Sequence, residues 1–230
     1  MEVASFVPYG PDHLAVLAVL GLGTLLLLAC GGRLKRRDAP GVRRTLAVLL
    51  LGHGLYSWSL LWARGIAYVP LQVCDVTLVL AAAALWSPAP LVSELVYYWG
   101  LTGSLQALLT PALEDPFPTR GWFAFFVDHL GIVLSAVYVA VSGRVRPSAS
   151  AAARAWLALN LYAGAAGVIN WLAGTNYGFL AHKPAQPSLL DAFGPWPSYV
   201  VWMELAVVAS FAVCYAPLAW SSRRETRCPS

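Results

Sequence analysis

Charge is what this chain has least of: 11% of its residues are Asp, Glu, Lys or Arg, against roughly a quarter in a soluble domain. Lys35 and Lys183 are the only lysines, and neither falls inside an apolar run. That excludes a retinal protein, whose Schiff base needs a lysine within a helix. Cysteine is limited to Cys30, Cys74, Cys214 and Cys228, with no CxxC pair and no metal-type spacing. Neither a disulfide framework nor a metal or cofactor site is expected. Ser104 sits in G-S-L-Q with no GxSxG around it, which disfavours a serine hydrolase. No internal repeat, low-complexity tract or second domain is visible, and the missing inverted repeat counts against a secondary transporter. No basic segment precedes the first apolar stretch, where Glu2 is the only early charge, so that stretch does not read as a signal peptide.

What is abundant is apolar. Hydrophobic residues make up 59% of the chain and the mean hydropathy is +0.64. A protein of this size leaves too much of itself at the surface to hide that much apolar area from water. Lipid is the solvent that resolves the problem. Seven stretches are long enough to cross a hydrocarbon core of ~30 Å, which takes about 20 helical residues. They run 13–31, 45–63, 69–86, 90–109, 121–142, 154–173 and 198–220. The expected fold is all-α: a single polytopic membrane domain over 1–230, with about seven transmembrane helices and a structured outer loop at 174–199. Gly31-Gly32, Pro70, Pro88, Pro90 and Pro111 punctuate the spans.

Basic residues orient the bundle. Arg33, Lys35, Arg36, Arg37, Arg43 and Arg44 follow the first span, Arg144, Arg146 and Arg154 surround the fifth-to-sixth junction, and Arg223, Arg224 and Arg227 lie in the tail. Seven crossings put these 12 of the 15 basic residues on one side, leaving Arg64, Arg120 and Lys183 on the other. The positive-inside rule then places the N-terminus outside and the C-terminus in the cytoplasm. Topology accounts for the net charge of +4, and nothing points to nucleic acid.

Polar residues inside the spans share a level. At ~1.5 Å per residue, Cys74 and Asp75 lie about 6–8 Å below the outer start of the third helix, with Gln106 and Asn170 at similar depth. Glu204 lies roughly 8 Å into the seventh, Asp128 and His129 roughly 10–12 Å into the fifth, and His53 deeper, at about 15 Å. Glu94 and Asn160 are exceptions in the inner halves. Ionisable groups in a span usually face the bundle interior or a wet cavity, so one polar cavity opening toward the outer leaflet is expected. Each residue also has a structural reading. Asn170 and Gln106 can serve as interhelical hydrogen bonders, and Asp75 and Glu204 as carboxylates at helix N-termini. His53 can be a satisfied core histidine and Cys74 a small buried hydrophobe. Asp128 and His129 point about 100° apart, so the first does not orient the second. On the outer loop, Asn176 joins the polar set, while His182 and Lys183 suit either a lipid phosphate or an interfacial anchor.

Several segments are more specific: LQVCDV (71–76), YYWGLTGSLQALLTP (97–111), FP at 117–118, FFVDHLGIV (125–133), LNLYAGAAGVIN (159–170), TNYGFLAHKP (175–184) and SLLDAFGPWPSY (188–199). Together, over about 70–205, they resemble the YwaF-like family of bacterial integral membrane proteins, related to eukaryotic transmembrane protein 164. The resemblance implies a bundle of six or seven helices and transfer or hydrolysis of fatty-acyl groups on lipids. It implies Cys74 as nucleophile, His129 as base, and a phospholipid or other fatty-acyl donor as partner. A thiolate attacks esters well once a base activates it, and an imidazole can then protonate the leaving alcohol. Gln106 or Asn170 would donate to the oxyanion, and Asp75 needs a partner for a thiolate to form beside it. The alternative is a transporter or receptor-like module in which the same cavity binds a small polar or amphipathic ligand.

Overall fold

The structure, a computed structural model, describes residues 5–145, 148–185 and 188–227, with side chains up to residue 216. Arg146 and Cys228 lie outside the described residues, and the side chains of Arg223, Arg224 and Arg227 outside the described side chains. Among the described residues there are seven helical segments and no strand. They are α1 (Pro11–Arg36), α2 (Pro40–Ala63), α3 (Val73–Trp86), α4 (Pro90–Trp99, continued by a π turn Gly100–Ser104 and a last α turn Leu105–Leu109), α5 (Arg120–Val141), α6 (Ala149–Ala173) and α7 (Ser198–Arg227). Two 3-10 turns, Tyr177–Phe179 and Leu189–Phe193, interrupt the connection between α6 and α7.

Local chemistry sets these limits. Pro11, Pro40 and Pro90 each open a helix, where a missing N–H costs nothing and a fixed φ helps. Thr119 and Ser148 cap α5 and α6, accepting from the backbone N–H of Trp122 (3.3 Å) and Ala151 (3.0 Å). Gly174, at φ +64°, supplies the left-handed residue that ends α6. In the π turn, Thr102 donates its hydroxyl to the Tyr98 carbonyl at 2.7 Å.

Among the described residues, α1, α2, α5, α6 and the Ser198–Ala216 part of α7 are long and apolar enough to cross a membrane. Leu25 and Leu26 of α1 and Leu161, Trp171 and Leu172 of α6 are each more than 60% exposed. A soluble helix would turn such residues inward; these faces are solvated by lipid, in a multi-pass membrane protein. The third segment is shorter than the expected 69–86, at 14 helical residues or ~21 Å.

Helix α5 is the centre of the bundle, packing against α1, α2, α3 and α4, while α6 packs on α4 and α7 on α6. Small residues allow close crossings: a Cβ on Gly100 of α4 would stand 3.0 Å from the Ala136 Cβ of α5. Two polar networks close one end, here called the arginine-rich end. Buried Arg43 donates to the Leu85 and Trp86 carbonyls that finish α3. It also grips both carboxylate oxygens of Asp38 at 2.8 Å, and Arg144 donates to the same carboxylate at 2.8 Å. The Arg43 hydrogen bond, foremost, holds the Asp38 carboxyl below the ordinary aspartate value. Glu94, with only 5% of its side chain exposed, makes a bidentate pair with Arg154 at 2.7 and 3.0 Å.

The opposite end, carrying the long α6–α7 connection, is called the loop end. There His13 is fully buried. Its Nδ1 accepts the Tyr9 N–H at 2.8 Å, so Nε2 carries the proton and donates to the Leu108 carbonyl at 2.8 Å, fastening α1 to α4.

Candidate functional site at the loop end

Helix α3 begins with a capping box: the Gln72 side chain accepts the N–H of Asp75, and the Asp75 carboxylate accepts the N–H of Gln72 at 3.0 Å. The carboxylate also receives the Trp58 indole N–H at 2.9 Å and the Tyr68 hydroxyl. Asp75 is thus a buried acceptor with three donors around it. Gln72 Oε1 accepts a further N–H, that of Gly178 at 2.9 Å, which draws the α6–α7 connection over the start of α3.

Cys74, next in line, is half-buried and packs against the core cluster alongside Leu101 and Tyr162. No side-chain hydrogen bond reaches its sulfur among the described residues. Tyr162 donates to the Leu71 carbonyl at 2.6 Å, holding α6 against the same turn.

His129 is buried on α5, its ring stacked on Phe125 at 4.2 Å. Its Nδ1 lies 2.7 Å from the Phe125 carbonyl oxygen, which can only accept. Nδ1 therefore carries the proton, and in the neutral ring the lone pair is at Nε2. His129 and Cys74 are both within electrostatic reach of Asp75 and Asp128. No hydrogen bond joins the cysteine to the histidine among the described residues.

Asp128 turns to a different partner. Its Oδ1 lies 2.8 Å from Nδ1 of His53 on α2. A cleft of about 210 Å³ opens beside this pair, between α2, α3 and α5. Trp58, Tyr68 and Phe125 give it aromatic walls, Asp75 and Asp128 line it, and an Arg64–Asp115 pair at 3.3 Å stands at its more exposed edge. Neither Cys74 nor His129 is part of the lining.

The other polar residues are engaged elsewhere. Asn170 is buried and spends its amide on the chain just beyond α6, donating to the Tyr177 carbonyl (3.0 Å) and accepting from Thr175 (2.9 Å) and the Tyr177 N–H (2.7 Å). Asn176 braces the loop, accepting the N–H groups of Ala181 and His182 and donating to the His182 carbonyl at 2.8 Å. His182 is exposed, and Lys183 lies 3.7 Å from Asp191 and over the Tyr199 ring. Gln106 bonds within its own helix, donating to Thr110 at 2.7 Å. Glu204 accepts from Trp156 and Asn160 of α6.

Of the expected polar layer, then, Cys74, Asp75, Asp128 and His129 gather at α3 and α5, whereas Gln106, Asn170, Asn176, His182, Lys183 and Glu204 serve other contacts. Counting from each helix's own end sets Glu204 ~9 Å and Asn160 ~20 Å deep, yet the two are hydrogen-bonded at 3.1 Å. The ends of α6 and α7 therefore stand at different levels, and depth counted along one helix does not transfer to its neighbour. Sequence reasoning missed Trp58 and Tyr68, and took His53 as a core residue. The signal for His53 was its estimated depth, within a helical turn of Asp128.

The model of the TMEM164 family matches residues 8–215, covering α1 through α6 and more than half of α7. That extends the likeness to the first two helices, which the motifs of the sequence left aside. No curated protein and no solved structure matches the chain. A match over most of its length, on a helical bundle with five helices long and apolar enough to cross a membrane among the described residues, establishes that the chain belongs to the TMEM164 family.

Proposed function

We propose that the protein is a membrane-embedded lipid acyltransferase or acyl hydrolase, with Cys74 as nucleophile and His129 as base. The observation that carries this reading is the placement of the two residues on packed helices, α3 and α5, around a shared pair of acids, with the lone pair of the neutral His129 ring on Nε2. In the reaction the thiol proton passes to Nε2 and the sulfur attacks the ester carbonyl carbon. The C–O bond breaks, the leaving alkoxide takes the proton, and a thioester remains on Cys74. An alcohol or water then accepts the acyl group. Three donors hold the Asp75 carboxylate, so its negative charge remains beside Cys74 and the thiolate has to form together with proton transfer to His129.

The same reading includes seven crossings, the arginine-rich end in the cytoplasm, and residence in a bacterial cytoplasmic membrane. The short α3 is compatible with a crossing because the segment before it, with Tyr68 and Gln72, is packed against protein and lines the cleft. Non-helical backbone is tolerated at membrane depth under that condition.

One observation favours the alternative of a binding module: Asp75 and Asp128 line the cleft while Cys74 does not. The two are separated by reconstituting wild type and Cys74→Ala in phospholipid vesicles and measuring lysolipid, free fatty acid and re-acylated lipid by mass spectrometry. Acyl chemistry is lost with Cys74→Ala if the thiol is the nucleophile; retained turnover would move the function to ligand binding at the cleft.

A further inference from the structure

His53 has no task in the Cys74–His129 chemistry, yet its pairing with Asp128 places two ionisable side chains within the helical bundle. Such groups are costly in a membrane and are kept where they act on a substrate or a proton. The side chains are 25% and 13% exposed, so both remain reachable. Asp128 lines the cleft, and so does Ser57, one helical turn from His53 on α2; His53 is not itself in the lining and adjoins the cleft through Asp128. With Nδ1 of His53 committed to the carboxylate at 2.8 Å, Nε2 has no hydrogen bond among the described residues. The two histidines are therefore held differently. A backbone carbonyl orients His129, whereas a carboxylate orients His53 and also stabilises the imidazolium that forms when it accepts a proton. A cleft of about 210 Å³ has room for a few waters or a small hydroxylated group, which Ser57, Tyr68, Asp75 and Asp128 can hydrogen-bond within an otherwise apolar lining.

We propose that His53, oriented by Asp128, is the general base that takes the proton from the hydroxyl of the acyl acceptor held in the cleft. This rests on the acyl-transfer reading and adds a second base to it. The acceptor O–H proton moves to Nε2 of His53 while its oxygen bonds to the thioester carbonyl carbon. The C–S bond breaks and Cys74 leaves as thiolate. The imidazolium releases its proton to water in the cleft, and the thiolate regains one from solvent, which returns both groups to their starting state. Either a lipid alcohol or water has the required hydroxyl; re-acylated lipid identifies the first and free fatty acid the second.

The test separates loading from discharge. Full-length protein in detergent is loaded with a short-chain p-nitrophenyl ester, freed of excess ester, and given a lysophospholipid in water while intact mass reports the acyl group on Cys74. His53→Gln is expected to load as wild type does, while Asp128→Asn, which also removes a charge near Cys74 and His129, is read for its discharge alone. Their discharge to lysophospholipid or water should slow about 100-fold, the usual contribution of a general base. Hydroxylamine, which needs no base, should discharge all three proteins alike, which shows the same thioester in each, and thermal melts matching wild type show the variants to be folded. Discharge of His53→Gln at the wild-type rate would overturn the proposal and leave the acyl-transfer reading standing. Failure of His53→Gln to load at all would also overturn it, by moving His53 to the first step. No adduct on wild type would overturn the acyl-transfer reading itself, and this proposal with it.

Discussion

The indole N–H of Trp58 lies 2.9 Å from Oδ1 of Asp75, tying the last turns of α2 to the first turn of α3. With the Tyr68 hydroxyl and the Gln72 N–H on the other oxygen, the start of α3 depends on one buried acceptor. Asp75→Asn presents an N–H where a donor now points, and should cost about 1–3 kcal/mol, the usual penalty for a buried unsatisfied group. Trp58→Phe removes one donor without leaving another unpaired and should cost about 1 kcal/mol. Thermal unfolding in detergent, followed by tryptophan fluorescence with wild type in parallel, checks the order. Equal melting of Asp75→Asn and wild type would contradict it.

At the arginine-rich end, Arg43 caps α3 and binds Asp38 at once, with 8% of its side chain exposed. Arg43→Ala should destabilise by about 1–3 kcal/mol, since it strands the Leu85 and Trp86 carbonyls, while Asp38 keeps Arg144. The folded-state value of Asp38 is depressed, chiefly by the Arg43 hydrogen bond. Its contribution is therefore present above the ordinary aspartate value and lost as the pH falls through the depressed one. Asp38→Asn should lower the melting temperature at neutral pH and flatten the acid side of its pH dependence, read from melts between pH 3 and 7.

Glu94 is buried and Arg154 half exposed, so the two single substitutions are unequal. Arg154→Ala leaves a carboxylate stranded among apolar helices. Adding Glu94→Gln to that variant should recover part of the lost melting temperature. A double substitution melting below Arg154→Ala would argue that the pair does not interact.

Glycines divide by what surrounds them. A methyl at Gly100 meets the Ala136 Cβ at 3.0 Å, a neighbour with no rotamer to move, so Gly100→Ala should cost about 1–3 kcal/mol by spreading α4 from α5. Gly164 of α6 faces open space, and Gly164→Ala should stabilise by up to about 1 kcal/mol through helix propensity. Thermal melts of the two variants check the opposite signs.

The helices were readable because apolar composition sets the solvent and some punctuation is local, as at Pro90. Pro11, Pro40 and Gly174, which bound α1, α2 and α6, were not used in that reading, and α1 runs on through Gly31-Gly32 to Arg36. The Asp75 capping box was readable in part, as a carboxylate in a helix's first turn. The His53–Asp128 pair was not, since 75 residues separate its members and only helix rotation decides which side chains meet. Asp128 and His129 adjoin in the chain and face different partners, one His53 and the other the Phe125 carbonyl. Glu204 shows the same gap, because its level depends on where the α6–α7 connection sets the start of α7.

The most direct test of the central claim is the mass of the intact protein after incubation with an acyl ester, with peptide mapping of the adduct. The account predicts a hydroxylamine-labile acyl group on Cys74 in wild type, none in Cys74→Ala, and much slower loading in His129→Ala. An adduct that forms on Cys30 or Cys214 equally well, or loading of Cys74 that ignores His129, would contradict it.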